Sequence, residues 1–368
     1  MSIYWNKRVK NLSPYVPGEQ PRDRKFIKLN TNENPYPPSP KVIEAVQKAV
    51  NGDLRLYPDP DCAAFREAAA RRYGVMPGQI FAGNGSDEIL GFAFGAFFES
   101  IYADGPPLNA KTADVILFPD ITYSFYPVYA GLWNIPYRQI HLRDDFYINC
   151  DDYRIPCAGI IFPNPNAPTG IPVPLADILS LAECLETQGR VLIIDEAYIA
   201  FGAQSAVPFI NEHPNLLVVH TLSKSASLAG MRFGYAAGNE ELITGLCRIR
   251  DSFNSYTIDR LALAAAAAAV ADASYYDKIN NRVIATRERT AESLKNLKFN
   301  VLQSAANFLF IKAPKISGRD LFCALREKGI LARHFNKEKI TDYLRVSIGT
   351  DEDMDEFIAA CEEILNRI

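Results

Sequence analysis

The sequence predicts an α/β protein: a mostly parallel sheet covered by helices, joined to a smaller α+β domain built from the two chain ends. Three observations carry that expectation. Runs at 159–162, 191–194 and 216–220 are rich in β-branched residues and leucine along their whole length, as strands buried on both faces are. Segments with helical character alternate with them, the order that builds a parallel sheet. A chain of 368 residues exceeds the usual single-domain size, so two domains are expected. A large one is read over 38–262, and an N-terminal arm, 1–37, joins 263–368 in the smaller one.

Taken in order, the arm reads as extended to about residue 37. Ser39-Pro40, followed by Val42, Ile43, Ala45, Val46 and Val50 and closed by Gly52, has the cap, first-turn proline and glycine stop of a helix. Strands are expected at 115–118, 136–140, 159–162, 191–194, 216–220 and 233–237. Three prolines and a glycine in Pro163-Asn164-Pro165-Asn166-Ala167-Pro168-Thr169-Gly170 fix one backbone path at a strand end, before a helix over 174–187. The alanine run at 261–270 is apolar and free of Pro and Gly, which favours a close-packed helix over disorder. A long helix over 275–297 then bridges to strand 308–312, helix 318–328, strands 330–333 and 343–347 and a last helix, 352–367. The acids Asp351, Glu352 and Asp353 suit the positive end of that helix dipole.

Hydrophobic content of 48% and charged content of 22% are those of a globular protein. A net charge of −4 argues against nucleic acid as a partner, because the phosphate backbone requires a basic face. The first residues lack the apolar stretch of a signal peptide. No apolar run reaches the roughly 20 residues of a membrane span, and a cytoplasmic protein is expected. The seven cysteines form no CxxC pair, so free thiols are expected and no metal site. His141, His213 and His220 fit packing or surface roles, whereas His334 draws interest by following Arg333.

The chemistry-bearing positions cluster at strand ends. Lys224 stands among Ser223, Ser225 and Ser227 on a connection after the 216–220 run, with Arg232 eight positions on. Asp195 ends the 191–194 run, where open α/β sheets bind ligands. Each feature alone also has a plain structural explanation: a surface lysine, an acid capping a helix, an ordinary connection. Gly83-Asn84-Gly85 before a helix is by itself weak evidence of a phosphate site.

Together these segments resemble the fold-type-I aminotransferases that use pyridoxal 5′-phosphate, and among them the histidinol-phosphate aminotransferases. The resemblance spans nearly the whole chain. It is carried by Leu29-Asn30-Thr31-Asn32-Glu33-Asn34-Pro35, Leu56-Tyr57-Pro58-Asp59, Gly83-Asn84-Gly85-Ser86-Asp87-Glu88, the proline turn, Asp195-Glu196-Ala197-Tyr198, the Lys224 run, and Leu344-Arg345-Val346-Ser347-Ile348-Gly349-Thr350.

The resemblance implies a role for each matching residue. Lys224 would bond the cofactor aldehyde and later shuttle a proton. Asp195 would keep the pyridine nitrogen protonated, and Tyr198 would hydrogen-bond its O3′. The backbone at Gly85, Ser86 and Asp87, with Ser223 and Arg232, would hold the phosphate. Tyr123 would stack on the ring. Tyr57 would reach the partner's cofactor phosphate, making the active unit a homodimer with shared sites. Relatives carry Asn immediately before Pro-Thr-Gly, and this chain has Ala167 there. Either Asn166 substitutes or Tyr198 holds O3′ without it, and side-chain alternation along an extended segment favours the second.

Arg333 and Arg345 would grip the substrate phosphate and the carboxylates of glutamate or 2-oxoglutarate, with Tyr15 and Asn32 also at the substrate pocket. The implied reaction is transamination of L-histidinol phosphate with 2-oxoglutarate in histidine biosynthesis. An aromatic amino acid aminotransferase, a threonine-phosphate decarboxylase and a pyridoxal-binding regulator without turnover are the alternatives. The absence of a basic DNA-binding segment before residue 30 speaks against the last.

Overall fold

The computed structural model describes residues 3–15, 18–21, 24–100 and 115–367. Helix α1 (Lys7–Asn11) lies in the arm expected to be extended. The Asn6 side chain accepts the Val9 N–H at 2.9 Å, so a cap rather than an apolar period starts this short helix. Strand β1 (Ile27–Lys28) follows, then α2 (Pro40–Ala49) and α3 (Ala63–Tyr73). Ser39 caps α2 and Pro40 is its first residue, as expected. Gly52 is not its stop: α2 ends at Ala49 with Val50 as its C-cap, and Asn51 caps a separate 3₁₀ turn that Gly52 opens.

The central sheet holds β2 (Ile80–Gly83), β3 (Ile116–Pro119), β4 (Tyr137–Ile140), β5 (Gly159–Pro163), β6 (Val191–Asp195), β7 (Leu216–Thr221) and β8 (Gly234–Gly238). The seven strands lie in the order β2-β8-β7-β6-β5-β3-β4. Strands β3 to β7 run parallel, and β8 runs antiparallel to both β7 and β2. Sequence reasoning missed β2, whose four residues before a Gly-Asn-Gly run carry too little periodicity.

Alternation along the strands builds two apolar layers. Ile160, Leu192, Ile194, Leu216, Val218 and Ala237 face one layer with the buried residues of α2, α3, α6 (Leu175–Glu186) and α8 (Arg260–Ala271). Ile161, Ile193, Leu217, Val219 and Ala236 face the other, with α4 (Gly85–Phe97), α5 (Tyr126–Trp133) and α7 (Glu240–Phe253). The alanines of α8 let it pack directly on α2 and α3, the close-packed helix expected from that run.

Helix α9 (Ala273–Asn296) leads to β9 (Asn300–Val301), β10 (Phe308–Lys312), α10 (Gly318–Glu327), β11 (Ile330–Leu331), β12 (Arg333–His334), β13 (Tyr343–Ser347) and α11 (Asp351–Asn366). A second, antiparallel sheet orders β12-β13-β10-β9, and β11 pairs with β1 in parallel. The expected single strand at 330–333 is therefore split at the buried Ala332 between two sheets. The β1–β11 pair ties the N-terminal segment to the C-terminal part of the chain, and residues 30–33 line a cavity with Asp195 and Thr221 at the ends of central strands.

Candidate active site

Strands β5, β6 and β7 end side by side, in a register that pairs Pro163 with Asp195 and Asp195 with Val219. Pro163, Asp195 and Thr221 line one cavity of about 270 Å³, closed on its other walls by residues 30–33 and by Arg333 and Arg345. Parallel strands bring their C-terminal ends to one edge, which is where an α/β sheet presents its chemistry.

Lys224 lies on the turn after β7 and lines this cavity. Its Nζ donates to the Thr31 carbonyl at 3.1 Å, and its own carbonyl accepts from Asn34 Nδ2 at 3.1 Å. Burial, and after it the Arg345 charge, lower the amine's pKa from the ordinary lysine range to about 8. A neutral, nucleophilic amine is thus accessible near physiological pH.

Asp195 is only 4% exposed. Its Oδ2 accepts the Tyr126 hydroxyl at 3.2 Å and its Oδ1 the Ala197 N–H at 3.2 Å. Burial raises its pKa to about 6. The Tyr198 hydroxyl accepts from Asn32 Nδ2 at 2.9 Å, and its ring stands edge-on to Phe308. Asn32 itself adopts a left-handed backbone, φ 55°. Ser347 and Asn307 hold it there: Ser347 Oγ accepts its N–H at 2.8 Å, and Asn307 Nδ2 donates to its carbonyl at 3.0 Å.

The first turn of α4 forms a cradle of donors. Gly85 has φ +81°, and a Cβ there would lie 2.7 Å from Arg232 Nη2. A Cβ on Gly234 would meet the Ser86 nitrogen at 2.5 Å. Arg232 Nη2 donates to Asp87 Oδ2 at 3.2 Å, and the Tyr123 hydroxyl donates to Asp87 Oδ1 at 2.6 Å. Ser223, buried, accepts from Thr221 Oγ1 at 3.0 Å. Helix N–H groups, a hydroxyl and a guanidinium thus line one cavity, and such groups are the donors an anion takes.

On the facing wall, Arg345 Nη2 donates to the Asn30 carbonyl at 3.0 Å, and its guanidinium lies over Phe308 and Phe335. Its Nε is buried without a hydrogen-bond partner. Arg333 sits over Phe335 from the neighbouring strand. Tyr15, stacked on Phe125 at 4.3 Å, lines the same cavity.

The cavity thus gathers Tyr15, Asn32, Ser86, Asp87, Tyr123, Asp195, Tyr198, Ser223, Lys224, Arg232, Arg333 and Arg345, with Gly85 directly behind Ser86. Tyr57 does not join them: it is 78% exposed and stacks on Tyr256 at 4.7 Å. Ala167 lines the cavity and Asn166 does not. The Asn166 amide donates to the Ile121 carbonyl at 3.0 Å and to Thr169 Oγ1 at 3.1 Å.

Sequence reasoning missed Thr31, Glu33 and Tyr126. Glu33 accepts from Lys28 Nζ and Thr31 Oγ1, both at 2.7 Å. Only its membership in the 29–35 run could have flagged it, and Tyr126 had no signal beyond its three-residue spacing from Tyr123. His220 is more than packing: its Nε2 lies 2.9 Å from Glu196 Oε2 and its Nδ1 3.1 Å from the Tyr235 hydroxyl.

A doubly covered sheet whose strand ends carry an amine of lowered pKa, a buried carboxylate and a helix N-terminus beside an arginine defines the class of fold-type-I enzymes that work on amines through a phosphorylated aldehyde cofactor. Residues 24–361 match the family model for aminotransferase class I and II, and the chain belongs to that family. Histidinol-phosphate aminotransferase from Clostridium beijerinckii is 50% identical over 366 residues, covering 100% of this chain and 98% of that protein. The protein of the same name from Clostridium acetobutylicum is 50% identical, covering 99% of this chain and 100% of its own length. Among solved structures, histidinol-phosphate aminotransferase from Sinorhizobium meliloti in complex with pyridoxal-5′-phosphate has a TM-score of 0.87 and 25% identity, covering 100% of this chain and 99% of that one.

Proposed function

We propose that the chain moves an amino group between L-histidinol phosphate and 2-oxoglutarate, giving imidazole-acetol phosphate and glutamate in histidine biosynthesis, with pyridoxal 5′-phosphate as cofactor. The observation that carries the reading is the Arg333–Arg345 pair on the wall of the cavity that also holds Lys224 and Asp195. Full-length relatives at 50% identity named for this reaction support it.

The residues fit the cofactor. The cradle at Gly85, Ser86, Asp87, Ser223 and Arg232 is a place where an added Cβ would collide with the donors, as a close-fitting phosphate site requires. When bound, the cofactor supplies an aldehyde for the substrate amine and a ring that accepts electrons. In this reading Lys224 Nζ holds the cofactor at rest and, once released, moves the proton of the substrate α-carbon. Asp195 holds the proton on the ring nitrogen, Tyr198 hydrogen-bonds O3′ and Tyr123 packs on the ring. Tyr198 serves without Asn166, whose amide is engaged elsewhere.

Arg333 and Arg345, with Tyr15 and Asn32, take the substrate. Two forked guanidinium groups suit a phosphate dianion, and the same forks suit the carboxylates of glutamate in the other half-reaction. Residues 38–262 act as the cofactor-binding domain in this reading, and 1–37 with 263–368 as arm and small domain. The active unit is a homodimer in which Tyr57 serves the partner's site. Its exposure together with its chain neighbours Leu54 and Leu56 and its stacking partner Tyr256, all exposed, supports that role. Seven free cysteines support a reducing, cytoplasmic setting.

Steady-state assays with histidinol phosphate, phenylalanine and threonine phosphate side by side test the reading. The highest kcat/KM is expected for histidinol phosphate. A preference for phenylalanine would replace the reading with an aromatic aminotransferase, carbon dioxide release from threonine phosphate with a decarboxylase, and no turnover with a pyridoxal-binding regulator.

A further inference from the structure

We infer that Tyr126 is a positioning residue for Asp195: its hydroxyl orients the buried carboxylate and keeps it ionised for the cofactor's ring nitrogen. This rests on the cofactor reading above. Tyr126 opens α5 and is fully buried, its ring stacked on Phe94 and edge-on to Phe118 and Tyr123. Those contacts need only an aromatic ring, and phenylalanine would satisfy them. A hydroxyl in such a cluster is costly unless it is bonded, and this one donates to Asp195 Oδ2 at 3.2 Å.

Two neighbouring tyrosines set the contrast. Tyr123 precedes α5, and Tyr129 follows Tyr126 by three residues on the same side of the helix. Tyr123 and Tyr129 turn their hydroxyls to Asp87 Oδ1, at 2.6 and 3.5 Å, while Tyr126 turns its own to Asp195. Asp87 and Asp195 therefore take tyrosine donors, whereas Glu33, the other acid lining the cavity, accepts from Lys28 and Thr31. The titratable groups facing Asp195 are Asp87 of α4, Tyr123, Tyr126 and Tyr129 at α5, Tyr198 beyond β6, and His220 of β7. Burial and then Asp87 push the carboxyl up, while the Ala197 N–H, Tyr126 and His220 pull it down. His220 makes no hydrogen bond to Asp195, and among the described residues Tyr126 is the side-chain donor that does.

The test is a titration of the full chain, stripped of cofactor, with pyridoxal 5′-phosphate from pH 5 to 8, for wild type and Tyr126→Phe. Affinity falls in both as Asp195 protonates, and Lys224 titrates alike in both. Loss of one donor moves the midpoint of the fall up by about one pH unit, which is roughly tenfold weaker binding on the acid side and equal binding at pH 8. Thermal midpoints of the two cofactor-free proteins should agree at pH 5, where Asp195 is protonated in both, and the variant's should be the lower at pH 8, where its raised carboxyl pKa removes stability. In the Asp195→Asn background, adding Tyr126→Phe should change nothing. Superimposable profiles, or a loss equal at every pH, overturn the inference. A wild-type chain that binds no cofactor at any pH overturns the cofactor reading, and this inference with it.

Discussion

Arg333 and Arg345 stand directly opposite each other across the β12–β13 ladder. Opposed residues of an antiparallel pair share a face, where like charges destabilise. Burial, and further down Arg333, draw the Arg345 pKa below the ordinary range, and its Nε has no partner. Two guanidinium groups held together in this way form an arrangement that an anion relieves. A doubly charged one relieves it most.

Truncating either arginine therefore separates substrates. Loss of one charge-assisted pair costs about 1.5–3 kcal/mol, on the order of 10- to 150-fold in kcat/KM for histidinol phosphate. Arg333→Ala should spare a phosphate-free aromatic donor, whereas Arg345→Ala should impair both donors. Equal losses on both substrates for Arg333→Ala would remove the phosphate role. Because a like-charge contact is also lost, the ligand-free Arg333→Ala protein should unfold at a temperature no lower than wild type.

The Lys224 amine makes cofactor capture pH-dependent. Its pKa is lowered to about 8, so the neutral amine appears as pH rises through 8 rather than above 10. Stopped-flow absorbance on the cofactor-free chain should show capture accelerating across that interval and levelling above it. Lys224→Ala should fold, yet lack both the visible absorbance of the loaded protein and turnover. Wild-type rates in that variant would discard the assignment.

Gly234 tests the phosphate cradle by packing alone. Its Cβ would lie 2.5 Å from the Ser86 nitrogen, and overpacking of this kind costs about 1–3 kcal/mol. Gly234→Ala should lower the Tm and weaken cofactor binding together. The nearby Gly230→Ala has nothing within 4 Å of its Cβ and serves as the control. An unchanged cofactor affinity in Gly234→Ala would mean that the start of α4 does not hold the phosphate.

Sharing of sites between subunits is tested by complementation. Tyr57→Phe, if its hydroxyl serves the partner's cofactor, should weaken cofactor affinity without disturbing its own chain's cavity. Mixed with inactive Lys224→Ala under conditions of subunit exchange, it yields heterodimers with one intact site. Activity at limiting cofactor should then exceed that of either parent alone. No recovery despite demonstrated exchange would assign each site to a single chain.

The alternation of strands and helices, the capped start of α2, the alanine helix α8, and the positions of Asp195 and Lys224 at the end of a strand and just after one were legible in the sequence. Composition and periodicity report burial, and burial on both faces of a strand leaves a local mark. What those residues touch follows from long-range packing. The carbonyl that holds the Lys224 amine belongs to Thr31, 193 residues away. Tyr126 meets Asp195 across 69 residues of chain, and Arg333 meets Arg345 only through the register of two strands. Ala332 is one step of an apolar run in the sequence and the break between two sheets in the fold. The direction of the Asn166 amide follows from the path of the proline turn. Such contacts arise when distant segments share one core, and no window of neighbouring residues carries the information that brings them together.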